Sequence, residues 1–506
     1  MPNIILSTLN ARYIHSALGL RYLLANMGEL ENSTAIREFT LETRPADLAE
    51  RLLAESPEII GFGVYIWNIE ETTRLVALLK ALAPEVTIVL GGPEVSHECG
   101  QQPIVAMADH VITGQADLAF AALCRELLAG DRPADRIIRP PLPDLKSLDL
   151  PYRTYTDEDI ANRVIYVEAS RGCPFKCEFC LSALDKTSWP FHLPDFLREM
   201  ALLHGRGVRH FKFVDRTFNL DLKSSIATLE FFLDRLDEEL FLHFEVIPDR
   251  LPEKLKSVLQ RFPKGTLQLE VGVQSFNPEV QTLISRKQDN EKSCENLRWL
   301  REESNAHLHT DLIIGLPGED MQSFGRGFDR LCALKPHEIQ VGILKRLRGA
   351  PVNRHTEAYR LRFNPNPPYD ILSSDRIDFP TMQRLTRFAR YWDMIANSGR
   401  FSASLQLILG QKPFDRFLLI SDWLFERTGQ VHRIALKRLF DLLHEGMLQV
   451  LGIEQKTAVE ALASDYHRAS LKGLPAFLRT TAVENRGEQG ADPVANRPAR
   501  QTRHSR

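Results

Sequence analysis

The sequence predicts an α/β protein with three domains. At 506 residues the chain exceeds what one hydrophobic core usually supports. Over roughly its first two thirds, short apolar runs alternate with amphipathic segments, which is typical of parallel sheets covered by helices. Beyond that, apolar residues recur only at helical spacing. We therefore expect an N-terminal doubly wound (Rossmann-like) domain, a central partial (β/α)6 barrel and a helical C-terminal domain.

Composition narrows the classes of protein that this chain can belong to. Hydrophobic residues make up 43% and charged residues 25% of the chain, and the net charge is −3. This balance is ordinary for a globular protein and gives no electrostatic attraction to nucleic acid or membranes. No run of eighteen apolar residues occurs, which argues against a membrane-spanning helix. Residues 1–6 lack a basic leader and predict a first strand rather than a secretory signal.

Cysteine usage predicts a reducing compartment. The chain has seven cysteines, and three of them fall within eight positions. Clustered cysteines in a long chain without a secretory signal favour thiolate ligands over disulfides. We therefore expect a cytoplasmic protein.

The N-terminal domain is predicted over residues 1–130. Its apolar runs predict strands, and the segments between them predict helices by their three- and four-residue spacing. The strands are expected at Ile4–Leu6, Ile59–Val64, Thr87–Leu90 and Val111–Thr113, and helices at Asp47–Ala54, Glu70–Leu82 and Leu118–Leu128. A doubly wound sheet binds its ligand at the carboxyl ends of its strands.

A linker is predicted over residues 131–163, because five prolines interrupt both helix and sheet patterns there. A second series of β/α units follows over residues 164–348. Its six strands are expected at Val164–Ala169, His210–Val214, Phe241–Val246, Leu267–Val273, His307–Ile314 and Ile339–Leu344. In such barrels the chemistry lies on the loops that follow the strands.

The helical C-terminal domain is predicted over residues 349–479. One apolar helix face is formed by Met382, Leu385, Phe388, Trp392 and Ile395, with Gly399 as a C-terminal stop. Residues 480–506 contain few large apolar side chains and predict a disordered tail. We interpret its arginines as solvated rather than as a nucleic-acid site. They are Arg497, Arg500, Arg503 and Arg506.

The strongest chemical signal is a cysteine cluster directly after the first strand of the second series. Cys173, Cys177 and Cys180 have C-x3-C-x2-C spacing, so one loop can wrap three sulfurs around an inorganic core. Soft thiolates select iron–sulfur clusters or zinc. A structural zinc site would need a fourth ligand, and the remaining cysteines (Cys99, Cys124, Cys294 and Cys332) are scattered singly. Three ligands leave one metal position open, as catalysis requires.

This motif, with the aromatic Phe179 before the third cysteine, resembles the signature of the radical S-adenosylmethionine superfamily. The resemblance implies that Cys173, Cys177 and Cys180 hold a [4Fe-4S] cluster and that Phe179 packs near the adenine. It also implies that S-adenosylmethionine chelates the open iron and is cleaved reductively to a 5'-deoxyadenosyl radical. A ferredoxin or flavodoxin would then supply the electron.

Polar residues at the following strand ends extend this resemblance. Asp215 ends the second strand, where the superfamily contacts the methionine amino group, although its usual Gly-Gly-Glu is absent here. Glu245 ends the third strand. Gln274 and Ser275 end the fourth, where the resemblance places groups near the ribose and carboxylate of the cofactor. Each of these residues could instead be a turn or capping residue.

Glycines mark two further strand ends. Gly315 and Gly318 follow the fifth strand of the barrel, where the resemblance lets the backbone approach the adenine; a plain strand-to-helix turn is the alternative. In the N-terminal domain, Gly91 and Gly92 follow a strand, and Gly114 follows the next one. A domain of this kind before a radical core resembles the cobalamin-binding class of the superfamily, in which the nucleotide tail of the corrinoid passes beside such glycines.

The first loop departs from the pattern of other cobalamin proteins. It lacks D-x-H-x-x-G, the motif by which His ligates cobalt, and Tyr13 stands where that pattern has Asp. We therefore interpret His15 as a helix-start or interface residue and not as a cobalt ligand.

Over its whole length the chain resembles a bacterial group of cobalamin-domain radical enzymes with a helical C-terminal domain. The expected activity is methyl transfer, or another radical transformation, at an unactivated carbon. Two alternatives stay open: a cobalamin- or redox-sensing protein without turnover, and a tRNA methylthiotransferase-like enzyme. The second lacks support because the N-terminal part has no second set of three cysteines.

Overall fold

The computed structural model describes residues 2–131, 133–185, 187–471 and 473–478. It contains two six-stranded parallel sheets followed by a helical region. The predicted disordered tail and its four arginines lie outside the described residues. Within the described part of the chain, no helix combines the length and apolarity needed to cross a membrane.

The N-terminal sheet has the strand order β2-β1-β3-β4-β5-β6, and every pair in it is parallel. Its strands are β1 (Ile4–Asn10), β2 (Thr34–Thr40), β3 (Ile59–Gly63), β4 (Thr87–Gly91), β5 (His110–Ile112) and β6 (Ile137–Ile138). Its helices are α1 (Leu18–Ala25), α2 (Pro45–Leu53), α3 (Ile69–Leu82), α4 (Pro103–Met107) and α5 (Ala119–Leu128). Alternate residues of β1 enter apolar layers on opposite faces of the sheet. The predicted doubly wound domain is therefore confirmed, with its switch point between β1 and β3.

Two strands of this sheet were not predicted. β2 is an edge strand whose polar residues mask its period, and Arg37 within it forms an ion pair with Glu55. β6 pairs with β5 inside the stretch predicted as a linker. Helix α6 (Asp157–Asn162), which begins with a capping box at Thr156, lies there as well. The segment over residues 131–163 is therefore part of both neighbouring domains, and four of its five prolines follow the edge strand, where no backbone donor is needed.

The central sheet contains all six predicted strands, in the order β14-β13-β12-β11-β10-β7 and all parallel. The strands of this region are β7 (Ile165–Val167), β8 (Ser170–Arg171), β9 (Trp189–Pro190), β10 (His210–Phe213), β11 (Phe241–Val246), β12 (Leu267–Gln274), β13 (His307–Ile314) and β14 (Glu338–Ile343). Its helices are α7 (Leu193–Gly205), α8 (Leu222–Leu233), α9 (Glu253–Leu259), α10 (Pro278–Leu283), α11 (Asn290–Glu303) and α12 (Met321–Ala333). The short strands β8 and β9 form a separate antiparallel pair on either side of the cysteine motif.

Side-chain alternation along the central strands separates a core from a polar interior. In β12, Leu267, Leu269, Val271 and Val273 are buried among apolar residues, while the residues between them are only partly buried. β13 repeats this pattern. The open barrel therefore presents polar side chains on its inner face, near its carboxyl end.

The helical C-terminal region packs onto the barrel. It comprises β15 (Arg362–Phe363), β16 (Ile371–Ser373), α13 (Phe379–Ile395), α14 (Ser402–Leu409), α15 (Pro413–Thr428), α16 (Leu436–Gln449) and α17 (Gln455–Arg468). All five predicted apolar residues of α13 are buried, and Trp392 Nε1 donates to Ile339 O on β14 at 2.9 Å. One continuous apolar core extends from the barrel into these helices.

Candidate functional site

The cysteine motif forms a loop between β8 and β9. Gly172 has a φ of +88°, and a Cβ on it would come within 2.2 Å of Thr187 O, so only glycine fits this turn. Cys173, Cys177 and Cys180 all line one cavity of about 250 Å³. Within the described residues, no three His, Cys, Asp or Glu side chains converge closely enough for a single metal ion. The three cysteines nevertheless share one cavity, which is the arrangement that a cluster held by three thiolates needs.

The surroundings of the sulfurs determine their ionisation. Burial raises the pKa values of Cys173 and Cys177, while the nearby Arg286 opposes this shift at Cys177. Arg286 Nη1 lies 3.5 Å from Cys177 Sγ and donates to it. A bound metal would supply the positive charge that keeps buried thiols ionised. The site is therefore a soft, three-sulfur donor set, in which a bound metal would favour the thiolate forms of Cys173 and Cys177.

Glu178, inside the cysteine motif, anchors the loop to the rest of the barrel. It is 4% exposed and accepts hydrogen bonds from Ser285 Oγ at 2.6 Å and Arg354 Nη2 at 2.6 Å, with His355 Nε2 at 2.9 Å. Burial raises its pKa, but these donors outweigh burial and the pKa is lowered. Sequence reasoning missed Glu178, because a polar residue between two cysteines carries no signal of burial.

Polar side chains from the barrel strands line the same cavity as the cysteines. Two of the predicted residues lie here, Glu245 at the end of β11 and Gln274 at the end of β12, and the predicted Phe179 also lines the cavity. Gln274 has a φ of +69°, and its buried Oε1 accepts no hydrogen bond within the described residues. An unsatisfied buried acceptor on a residue that lines a cavity suits a ligand that donates a hydrogen bond.

Three residues that were not predicted also line this cavity: Glu270 on β12, Arg286 after α10 and Asp311 on β13. Arg286 also donates to Gly272 O and Gln288 Oε1, which holds its guanidinium beside the cysteines. Alternate residues of a strand point to the same face, so the alternation of apolar and polar residues along β12 and β13 could have identified Glu270 and Asp311 as facing inward. Arg286 lies in a loop between two helices. A loop has no hydrophobic period, and no strand ends there, so the sequence gives no sign of its position.

Asp215 lies behind the cysteine loop and does not line the cavity. It is 2% exposed and accepts from Ala169 N at 2.9 Å and Ser170 Oγ at 2.6 Å. Burial raises its pKa to about 7. These contacts brace the chain just before the cysteines, so the predicted contact with the methionine amino group stays a prediction without geometric support.

Ser275, Gly315 and Gly318 also lie outside the cavity. Ser275 Oγ donates to the buried Glu319 at 2.6 Å. A Cβ on Gly315 would meet Ile371 at 2.6 Å, and one on Gly318 would meet Leu283 at 2.8 Å. The predicted cofactor contacts of these three residues stay predictions: Ser275 is hydrogen-bonded to Glu319, and the two glycines lie close to side chains of neighbouring elements.

A second, larger cavity of about 700 Å³ lies at the carboxyl ends of the N-terminal strands. The predicted Gly91, Gly92 and Gly114 line it. Gly92 has a φ of +103°, and a Cβ on it would lie 2.5 Å from Val64 O. One wall carries the stacked rings of Tyr65 and Trp67, whose centroids are 4.4 Å apart. The cavity therefore offers an aromatic face and, at Gly92, a closely packed backbone to a ligand.

His15 lies at the interface between the two sheets. Its backbone bridges to Val164, and its Nδ1 lies 2.7 Å from Tyr166 Oη. The predicted interface position is therefore confirmed. His15 also lines the larger cavity.

The two cavities adjoin, because Arg216 lines both of them. Arg216 Nη1 donates to Glu245 Oε1 at 3.1 Å. Burial raises the pKa of Glu245, and Arg216 opposes that shift. Arg216 is therefore part of the wall between the two cavities.

Comparisons with family models agree with this division of the chain. Residues 5–124 match the B12 binding domain, residues 167–331 match the radical SAM superfamily, and residues 357–502 match a protein family of unknown function, DUF4080. The two matches with known chemistry cover most strands of the two sheets, and β6 and β14 lie outside the matched ranges.

Curated relatives include three methyltransferases. The chain is 25% identical over 332 residues to the uncharacterized methyltransferase PH0819 of Pyrococcus horikoshii, covering 60% of this chain and 70% of the relative. It is 26% identical to the cobalamin-dependent radical SAM methyltransferase TokK of Streptomyces tokunonensis, covering 62% of this chain and 51% of the relative. The 2-(S-pantetheinyl)-carbapenam-3-carboxylate methyltransferase of Streptantibioticus cattleyicolor is also 26% identical, covering 59% of this chain and 48% of the relative. The chain thus spans about half the length of the latter two.

Solved structures share the fold. The cobalamin-dependent S-adenosylmethionine radical enzyme OxsB with aqua-cobalamin has a TM-score of 0.61 at 13% identity, covering 96% of this chain and 81% of that one. The methyltransferase TsrM of Kitasatospora setae, with cobalamin and a [4Fe-4S] cluster, has a TM-score of 0.57 at 16% identity, covering 72% and 82%. At these identities the likeness establishes the fold alone.

Proposed function

We propose that this chain, a radical S-adenosylmethionine protein with a B12-binding domain, transfers a methyl group to an unactivated carbon of its substrate. The observation that carries this proposal is the shared wall at Arg216, which brings the three-cysteine cavity against the larger N-terminal one. A substrate at that wall can reach both cavities without dissociating, as a reaction with two cofactors requires.

The residues present fit the three cofactors. Cys173, Cys177 and Cys180 would hold the [4Fe-4S] cluster, and the glycine-lined N-terminal cavity would hold cobalamin. When bound, the cluster and S-adenosylmethionine together supply an organic radical, and cobalamin supplies the methyl group. The protein itself has to bind these groups, orient them and exclude water.

Charge complementarity supports S-adenosylmethionine as the occupant of the smaller cavity. Its carboxylate would pair with Arg286, which already lies beside Cys177. Its ammonium and sulfonium suit the carboxylates of Glu245, Glu270 and Asp311, which line the same cavity. Gln274 offers its unsatisfied Oε1 to a hydroxyl or amine, and Phe179 offers an aromatic face to the adenine.

The cluster needs an external electron, and we propose a ferredoxin or flavodoxin as its source. We also propose a cytoplasmic location. All seven cysteines are free thiols within the described residues. Thiols that must ligate a metal persist in reducing compartments.

The test is anaerobic reconstitution of wild-type protein and single Cys→Ala variants. Replacing Cys173, Cys177 or Cys180 should abolish iron and sulfide binding, because each sulfur would hold one iron. Cys332→Ala is the matched control and should retain both. With dithionite and S-adenosylmethionine, wild-type protein should release 5'-deoxyadenosine, whereas a sensor with the same cofactors would not. Full iron content in the three variants would contradict the proposal.

A further inference from the structure

We propose that Arg171 and Asp117 couple the N-terminal cavity to the cysteine loop, so that cobalamin binding orders the loop that carries the cluster ligands. This inference rests on the proposed function, since it takes cobalamin as the occupant of that cavity. It assigns Arg171 and Asp117 as positioning residues between two cofactor sites. Neither would touch a reacting atom.

The two residues join loops from different domains. Arg171 belongs to β8, two residues before Cys173, and Asp117 lies in the loop that follows β5 of the N-terminal sheet. Arg171 Nη1 and Nη2 donate to Asp117 Oδ2 and Oδ1, both at 3.0 Å, in a bidentate pair. Arg171 Nη1 also donates to Gln115 Oε1 at 3.1 Å, and Nε donates to Glu168 Oε1 at 2.8 Å. Bidentate arginine–carboxylate pairs fix orientation as well as distance.

Burial makes this link stiff. The side chains of Arg171 and Asp117 are 13% and 7% exposed. The guanidinium also lies 4.3 Å above the ring of Tyr22 on helix α1. Breaking a buried ion pair by displacing one partner leaves an uncompensated charge, which is costly. A shift of the Asp117 loop must therefore carry Arg171 with it, or pay that penalty.

The link is part of the cavity wall. Gln115, Asp117, Tyr22, Glu168 and Arg171 all line the N-terminal cavity, so a ligand there contacts the linked groups themselves. On the other side, only Gly172 separates Arg171 from Cys173, and its positive φ and close contact with Thr187 O leave the turn little freedom. Ordering of Arg171 is therefore transmitted to the first cluster ligand over a single constrained residue.

Coupling between two binding sites is reciprocal. If cobalamin orders the cysteine loop, a loaded cluster must also strengthen cobalamin binding by the same factor. For a link of this kind we expect hydroxocobalamin to bind the cluster-loaded full-length chain about five- to tenfold more tightly than the cluster-free chain, at the low end of typical coupling.

The experiment measures two quantities on the full-length chain. The first is the ratio of hydroxocobalamin dissociation constants with and without the reconstituted cluster. The second is hydrogen–deuterium exchange of the peptide over residues 168–180, with and without saturating hydroxocobalamin. In wild-type protein the cobalamin should slow this exchange. In Asp117→Asn, which keeps the shape but loses the charge, the affinity ratio should fall below about twofold and the slowing should disappear.

Further variants separate positioning from folding. Asp117→Glu keeps the charge and should restore part of the coupling. If Asp117→Asn fails to fold, Arg171→Lys takes its place: it loses the bidentate geometry and should show the same loss of coupling. Glu31→Gln is the control, because the Arg153–Glu31 ion pair also joins the N-terminal domain to residues before the barrel but is half exposed. It should leave both quantities unchanged.

The outcomes are distinguishable. Wild-type protein that binds cobalamin and a cluster with a ratio near one and unchanged exchange would overturn this inference and leave the proposed function intact. Wild-type protein that holds no cobalamin at all would overturn the proposed function, and the inference with it. Full coupling in both Asp117→Asn and Arg171→Lys would show that another contact carries it, and would overturn the assignment.

Discussion

At the scale of single residues, Gly92 shows how a backbone conformation determines a binding surface. Its φ is +103°, and a Cβ would lie 2.5 Å from Val64 O and 2.9 Å from Val64 N. Val64 cannot retreat easily, since its N–H donates to Gly91 O at 2.8 Å. We expect Gly92→Ala to cost more than about 1 kcal/mol of stability and to reduce cobalamin affinity at least about tenfold.

Gly114→Ala is the matched control for that variant. Gly114 also has a positive φ, +70°, but a Cβ there meets no atom within 4 Å. It should cost about 1 kcal/mol from the backbone alone and change cobalamin affinity less. Spectrophotometric titration and thermal unfolding measure both quantities. Equal affinity losses in the two variants would show that strain, and not the close approach to Val64, governs the site.

Glu319 gives a pH dependence whose sign follows from its burial. It is 2% exposed, and burial raises its pKa to about 7 even though Ser275 and Ser323 donate to it. A carboxyl whose folded pKa exceeds its unfolded value stabilises the fold below the unfolded pKa and loses that advantage as pH rises through the folded pKa. Its contribution therefore declines between about pH 4.5 and 7.

Glu319→Gln tests this sign. The amide keeps the size of the side chain and cannot ionise, so the variant should lose part of the decline in unfolding free energy between pH 5 and pH 8. Denaturant titrations across that range measure the difference. A variant curve parallel to that of wild-type protein would show that Glu319 does not titrate there.

At the scale of elements, the six barrel strands could be predicted because each is a short run rich in apolar residues, and most are separated by amphipathic helices. The edge strand β2 could not, since Arg37 and Glu38 interrupt its period, and its pairing with β1 depends on contacts distant in sequence. Short β6 carries too few residues to show a period at all. In both cases pairing with a neighbouring strand, and not the β-propensity of the residues, determines the strand conformation.

The same elements explain why only part of the cofactor site could be predicted. Strand ends mark the right edge of the sheet, but neighbouring residues point to opposite faces. Gln274 lines the cavity, whereas Ser275 is hydrogen-bonded to Glu319. Asp311, three residues before the end of β13, faces inward, while Gly315 beyond that end does not. The position at which a strand ends can be read from the sequence more readily than the side of the sheet to which its last side chain points.

Helix α13 offers an element-scale prediction. Trp392 is 4% exposed, packs edge-on against Phe328 with centroids 4.7 Å apart, and donates to Ile339 O on β14. Trp392→Ala should cost about 3–5 kcal/mol, because it creates a cavity and leaves a buried acceptor short of one donor. Trp392→Phe keeps most of the volume and should cost less. Chemical denaturation measures both; similar losses would indicate that the hydrogen bond dominates.

At the scale of the whole molecule, the barrel is an open sheet whose last strand, β14, is covered by the C-terminal region. α13 packs against β14, and Asn397 Nδ2 and Trp392 Nε1 both donate to Ile339 O. A single apolar core runs from the central strands to helix α17. The likeness to OxsB over 96% of this chain extends across the same three regions. The helical region is therefore part of the barrel's core, whatever else it binds.

This continuity predicts the result of truncation. A chain ending at residue 374 would expose the apolar face of the barrel that α13 and α15 cover, including Phe328, which contacts Phe388, Trp392 and Phe414. Exposing contiguous apolar surface of this kind leads to aggregation. We expect that chain to be insoluble or to lose cooperative unfolding, although all three cluster cysteines remain. A chain ending at residue 479, without the predicted solvated tail, should bind iron and unfold like the full chain. Cluster content and a sharp thermal transition in the shorter chain would show that the two domains fold independently.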